Sequence, residues 1–465
     1  MDQLTRTLLA RLPLAQAVLW LWSWITSTAR LDALFQQHRG RSYEKVLSFS
    51  VLVQLIADAL LHYRGSARQS FEHAHDSDRL PASITAAYGK LRRLPIPLSM
   101  AFLAECTDAL TPFAADPPAV LLPERLRDWE VITLDGKAIK RVAKRLKALW
   151  GVAGGVLGGR ALVAWRMKSG QVVAMHAHPD GDANDVRFVP LLCPLVRQRV
   201  PGRRLWVADR QFCNLVHLAD LAGEDDHFLV RYAKSVGFER DPQRPVRRGY
   251  DRQGRAYEEE WGWLGSATHK QRRYVRRITL ERAGEEALIL VTSLLDARRY
   301  RAADLLEVYR QRWGIERVFQ QVTEVFGLER LLGSTPEATI FQFAFCLVLY
   351  NIIQVLRGYA AQAGRRRVEE ISSEKLFGDV TRQLVAWHEL QSPETTVACF
   401  AQVLPLATLR RRLRELVKSC WGERWVKAPA KKRQGKRGKH ARVHGSVYRI
   451  IRAHKQHQAQ QKSGP

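Results

Sequence analysis

Between Trp129 and Asp209 the chain alternates in an order that restricts its fold. Three short apolar runs come first: Trp129 to Leu134, Ala161 to Met167 and Val172 to His176. Ser169-Gly170 separates the second from the third as a tight turn, so the three read as a meander of strands. A helix follows from Asn184 to Arg197, then Pro201-Gly202, then a fourth strand, Leu205 to Ala208. The order is βββαβ, which places this part of the chain in the α/β class with a mixed sheet.

The flanks differ. Residues 1–122 carry apolar residues at three-to-four spacing, in Val46 to Tyr63 and again in Pro97 to Leu110, and read as an N-terminal all-α domain. Arg64, Arg68, Arg79, Lys90, Arg92 and Arg93 fall between or at the ends of those helices, as a DNA-binding or dimerising domain requires and as a solvated basic surface equally produces. The proline-rich stretch Ala114 to Pro123 marks a boundary. A first catalytic part is expected over 123–213 and a β-rich insertion over 214–298, with strands at Phe228 to Tyr232, Ala256 to Trp263, Arg273 to Glu281 and Ala287 to Ser293. Helical periodicity from Ala302 through Glu316 to about Val325 opens a second catalytic part, 299–360. A C-terminal helical region, 361–426, includes a helix at Leu404 to Lys418. Residues 427–465 hold about a dozen Lys and Arg and no acid, a basic tail expected to be partly disordered.

Length permits this division, since 465 residues is several times what one core needs. Two apolar stretches, Leu12 to Ala29 and Ala338 to Leu356, read as buried core helices, because Gln342, Asn351 and Gln354 would be penalised in lipid. No membrane partner is expected. The six cysteines are scattered with no Cys-x-x-Cys pair, which argues against zinc and fits small buried hydrophobes in a reducing cytoplasm.

The charge balance asks for a polyanion. With 74 Lys and Arg against 46 Asp and Glu, the net charge is +28, and nucleic acid is the leading partner. Against that background, acidic residues at strand ends stand out. Asp135 follows Val131-Ile132-Thr133-Leu134 and Asp209 follows Leu205-Trp206-Val207-Ala208. Strand ends in α/β domains are where ligands and ions are held, although a single Asp-Gly after a strand is more often a turn. Tyr309, Arg312, Glu316 and Gln320 recur at three-to-four spacing and share one face of a helix, either a metal and phosphate stripe or a set of surface ion pairs.

Taken together, Leu134-Asp135-Gly136-Lys137, Val207-Ala208-Asp209-Arg210-Gln211-Phe212 and Tyr309-x-x-Arg312-x-x-x-Glu316 resemble the linked motifs of DDE-type insertion-sequence transposases, in the group with a Tyr-Arg-Glu-Lys signature. The resemblance spans most of the chain and implies a ribonuclease H-like catalytic domain with a β-rich insertion before the glutamate. It departs at Thr323, where the signature has lysine, and at Gln211, where glycine is frequent. Arg317, Gln320 or Gln321 could take over phosphate binding, or the copy could be impaired.

The resemblance implies a transposase that cuts at the ends of a mobile element and joins the 3′-hydroxyls to target DNA. Asp135, Asp209 and Glu316 are then catalytic, and an all-carboxylate set suits two Mg²⁺ or Mn²⁺ ions. Tyr309 and Arg312 are expected on the DNA backbone, with Lys137, Arg210 and Gln320 also on DNA. Trp261 or Trp263 could hold a flipped base or pack in the core, and Trp313 is expected to pack. Partners are double-stranded DNA and a second copy, with cytoplasmic placement on chromosomal DNA. The alternatives are a ribonuclease H-like nuclease without strand transfer and an inactive DNA-binding relative.

Overall fold

A computed structural model describes residues 2–61, 63, 66–114, 118–139, 146–153, 155–223, 225–282, 284–324, 333–401, 404–428 and 443–462. Among the described residues seven α-helices open the chain: α1 (Gln3–Arg11), α2 (Pro13–Ile25), α3 (Thr28–His38), α4 (Phe49–Leu61), α5 (Ala67–Asp76), α6 (Ile84–Leu91) and α7 (Ile96–Leu110). Prolines at the first turns of α2 and α7 fit positions where the missing N–H has no helical partner. Arg64 and Asp116 lie outside the described residues.

The meander follows as β1 (Glu130–Ile139), the short β2 (Gly155–Leu157), β3 (Gly159–Arg166) and β4 (Gln171–His178). Helix α8 (Val189–Arg199) returns the chain to β5 (Arg204–Ala208), and α9 (Leu215–Asp220) leads to β6 (Asp226–Arg231). The next strands are β7 (Phe238–Arg240), β8 (Arg247–Tyr250), β9 (Ala256–Leu264), β10 (Arg273–Leu280) and β11 (Leu288–Thr292). Among the described residues these strands, β2 apart, form one ten-stranded sheet ordered β4-β3-β1-β5-β6-β11-β10-β9-β7, with β8 also on β9. β1, β5 and β6 run parallel, and the rest pair antiparallel. The strand read at Phe228 to Tyr232 therefore joins the parallel centre beside β5, and the hairpins after it extend the same sheet.

The chain closes with α10 (Ala302–Gln311), α11 (Trp313–Glu324), α12 (Pro336–Gly364), α13 (Ser373–Leu390), α14 (Pro393–Phe400), α15 (Leu406–Ser419), β12 (Val443–Ser446) and α16 (Val447–Lys462). Within the tail, β12 pairs in parallel with β2 as a separate two-stranded sheet.

Both faces of β1 are covered, which its unbroken apolar run requires. Ile132 and Leu134 pack with Val189, Leu192 and Val196 of α8, while Val131 belongs to the core shared with α7, α11 and α12. Helix α12 is long and apolar enough to cross a membrane, yet its whole apolar window is buried in protein. Its polar residues have protein partners: Asn351 accepts from the Val172 N–H at 2.9 Å and donates to the Thr107 hydroxyl at 2.8 Å. The N-terminal helices share this core, where Phe102 of α7 stacks on Phe345 of α12 at 5.9 Å.

Candidate active site at the carboxyl ends of β1 and β5

The parallel register places two aspartates side by side. Leu134 of β1 pairs with Ala208 of β5, and Asp135 and Asp209 are the next residue of each. Neighbouring strands lie about 4.8 Å apart, so the two carboxylates leave the sheet as neighbours. Asp135 is not at the end of its strand, as the sequence suggested: β1 runs on to Ile139 along β3, and only its pairing with β5 stops. The Asp209 carboxylate accepts the Arg210 N–H at 2.7 Å and so opens a single helical turn.

Glu316 arrives from α11, which packs on the face of β1 that carries Asp135. The expected continuous helix is broken. Helical hydrogen bonding stops at Gln311 and restarts at Trp313, with the Arg312 N–H bonding Tyr309 O at 3.0 Å and the Ile315 N–H bonding Arg312 O at 3.1 Å. These three-residue spacings tighten the chain locally. The stripe is consequently split: Tyr309 sits on α10, Arg312 at the junction, Glu316 and Gln320 on α11.

Arg312 is the hub of the site. Its guanidinium lies 2.9 Å from Glu316 and 4.0 Å from Asp135, and the residue is only 5% exposed. Tyr309 is buried beside it, and the Tyr309 hydroxyl and Arg312 Nε have no hydrogen-bond partner among the described residues. Burial pushes the Tyr309 phenol up to about 12, with Asp209 adding to the rise and Arg312 opposing it. Burial likewise pushes Asp135, whose side chain is 17% exposed, up to about 7. Arg312 and the Gly136 N–H pull it back, while Glu316 and Asp209 raise it further. Asp135 thus feels both of the other carboxylates electrostatically.

The remaining expected residues take varied places. Lys137 is half-buried with its ammonium 5.5 Å from the Phe319 ring centre, Arg210 is exposed, and the Gln320 amide turns to Glu324 at 2.9 Å. The Thr323 hydroxyl donates to Phe319 O at 2.7 Å, one turn back on its own helix. Trp261 is buried and donates to Leu295 O, whereas Trp263 is partly exposed under the Arg272 guanidinium. Trp313 is not the packing residue that was expected: it is 53% exposed, with Arg312 5.3 Å from its ring centre. Several N-terminal cations are already paired, Arg68 with Glu72, Arg79 with Asp58 and Lys90 with Glu44.

One support was missed in the sequence. Gly136 presses its Cα face against the buried Asp185, which pairs with Arg160 at 2.9 Å, and a Cβ at 136 would overlap the Asp185 carboxylate. Asp135 and Gly136 face opposite sides of the sheet, so this pair backs the strand behind the site. Asp185 follows Asn184, which caps the turn, and was indistinguishable from an ordinary helix start.

The donor set is compatible with a hard divalent cation: three carboxylates, no thiolate or imidazole, and one carboxyl that burial and its two acidic neighbours raise to about 7, so that an added cation would favour its ionised form. Among the described residues, however, no three such side chains are gathered tightly enough to form a ready cation cage, and Arg312 stands among them.

No curated protein matches the chain. Among solved structures it is similar to a piggyBac transposase synaptic complex with hairpin DNA, seen by cryo-EM, at 11% identity and a TM-score of 0.40, covering 84% of this chain and 85% of that one. Residues 130–352, from the first residue of β1 into α12 and including all three carboxylates, match the family described as Transposase DDE domain.

Proposed function

We propose that this protein is a DNA transposase of the Tyr-Arg-Glu-Lys group, which cuts DNA at the ends of a mobile element and joins the freed 3′-hydroxyls to target DNA. The observation that carries the reading is that Asp135 and Asp209 follow a paired position on two central parallel strands, and that Arg312 links Asp135 to Glu316, all within the segment that matches the transposase domain. An antiparallel meander followed by parallel β5 and β6 favours a ribonuclease H-like core. The net charge of +28 favours a DNA partner.

Asp135, Asp209 and Glu316 are the residues that would hold Mg²⁺ or Mn²⁺, and two such ions would supply the charge that activates an attacking hydroxyl and stabilises a leaving oxygen at phosphorus. In the first step water attacks an end phosphodiester, forming one P–O bond and breaking another to release a 3′-hydroxyl. In the second, that hydroxyl attacks a target phosphodiester in the same way. Arg312 holds Asp135 and Glu316 in register through its ion pairs, and the unpartnered Tyr309 hydroxyl is left to donate to a phosphate oxygen. Two copies acting on two ends, on chromosomal DNA in the cytoplasm, complete the proposal.

The test is strand transfer. Duplexes carrying the element's own ends, incubated with the protein, Mn²⁺ and a supercoiled target plasmid, should yield both cleaved ends and covalently joined products. Cleaved ends with no joined product would replace this reading with a nuclease. Neither product, from protein that binds the ends, would replace it with an inactive relative.

A further inference from the structure

Arg317, the residue after Glu316, lines a cavity of about 150 Å³ on the neighbouring flank of α11. Arg357 of α12 and Lys427, from the segment that follows α15, face the same space, with Gln321, Gln354 and Glu369. Three cations therefore share a small cavity with one carboxylate.

Hydrogen bonding leaves donors unused there. Arg357 gives one N–H to Gln354 at 2.5 Å and one to Val368 O at 2.6 Å, while its Nε, buried, has no partner among the described residues. Gln354 Nε2 is likewise buried without one. The Lys427 ammonium donates to Glu369 O at 2.6 Å, using one of its three hydrogens in a bond to a backbone carbonyl. Although Lys427 as a residue is exposed, close packing around its ammonium, then the charges of Arg357 and Arg317, lowers it to about 8.

Like charges held this closely repel, and buried donors without acceptors are costly, so an anion with several acceptor oxygens relieves both. Guanidinium forks and an ammonium are matched to phosphate oxygens. The cavity is small beside the roughly 300–1,000 Å³ of pockets that enclose drug-sized ligands, which suits one phosphate group rather than a whole nucleotide.

We propose that this cavity is a phosphate-binding pocket that seats one backbone phosphate of a DNA strand on Arg317, Arg357 and Lys427. It rests on the DNA-acting reading above, and places a strand contact one residue along α11 from Glu316. Thr323, whose hydroxyl is turned back onto its own helix, has no part in it.

A footprint on Lys427 tests this in the full-length protein. At pH 7.5 an amine-acylating reagent reacts faster with an amine near 8 than with ordinary lysines near 10.4, and mass spectrometry follows the site. Binding of a short DNA duplex, monitored in parallel by fluorescence anisotropy, should slow labelling of Lys427 severalfold. Inorganic phosphate should do the same at higher concentration, and sodium chloride of equal ionic strength should not. Arg317→Gln, at an exposed position, should weaken protection by both. DNA that binds while Lys427 labels at its free rate would overturn the pocket and leave the transposase reading intact. Protection by phosphate alone would make it a site for a free anion and overturn the DNA assignment. Absence of any DNA binding would overturn the transposase reading and this pocket with it.

Discussion

Helix α11 carries two charge clusters of opposite arrangement, one acidic and one a basic cavity. On one flank a single guanidinium, Arg312, stands among three carboxylates; on the other a single carboxylate, Glu369, stands among Arg317, Arg357 and Lys427. Neither side is balanced by the protein alone. The first suits added cations and the second an added anion, and a phosphodiester chain with its counterions supplies both. The contrast teaches that the net charge of this chain is less informative than its local imbalance: the excess of acid at one place, inside a chain of net charge +28, is what singles out the chemistry.

The largest effect expected is on the acidic side. Asp135→Ala or Glu316→Ala should reduce cleavage by on the order of 10³-fold or more while DNA affinity stays nearly unchanged, as read by parallel gel and anisotropy assays. Equal loss of binding and cleavage would break the distinction between the two clusters.

Next comes the support behind that side. Gly136→Ala puts a methyl group into Asp185, and overpacking of this kind costs about 1–3 kcal/mol, measurable in denaturant melts. Asp185→Ala combined with Gly136→Ala should recover part of the loss, because the colliding carboxylate is gone.

The pH dependence separates burial from pairing. Asp135 ionises near 3.8 when unfolded and near 7 when folded, so between those values the folded state binds the extra proton. Stability from this group is present below about 4 and is lost as pH rises through about 7. Without divalent ions, Asp135→Asn should therefore melt higher than the parent at pH 8 and close to it at pH 4. Mg²⁺ should raise the parent's melting temperature at pH 8 and leave the variant's unchanged. A variant that melts lower at pH 8 would mean that Arg312 outweighs burial.

On the basic side the changes are smaller. Lys427→Gln should reduce the slope of log affinity against log salt by about one and leave cleavage at saturating DNA nearly unaltered. The smallest effect is at Trp313: Trp313→Ala should change stability by no more than about 0.5 kcal/mol, since the ring is mostly in solvent.

Two of the proposed acidic residues could be singled out in the sequence because their signal is local. An apolar run stopping at an aspartate is visible without knowing which strands pair, and both Asp135 and Asp209 carry that mark. The meander, α8 and β5 were legible for the same reason. What failed depends on contacts between distant segments. Three-to-four spacing gave one helix through Arg312, but hydrogen bonding breaks there, and spacing carries no information about a one-residue interruption. Trp313 looked like core because its type is apolar, yet the break turns it outward. The basic pocket was invisible because Arg317, Arg357 and Lys427 are far apart in sequence and each resembles a solvated charge. Asp185 behind Gly136 is another pairing of distant residues, 49 positions apart in the chain (185 − 136).

The central claim is that Asp135, Asp209 and Glu316 act as one catalytic unit on DNA. It is tested most directly with a plasmid carrying the element's own ends, in Mg²⁺ or Mn²⁺, comparing the protein with Asp209→Ala at equal DNA occupancy. The account predicts cleavage by the parent and none by the variant. Cleavage by both, or by neither, would contradict it.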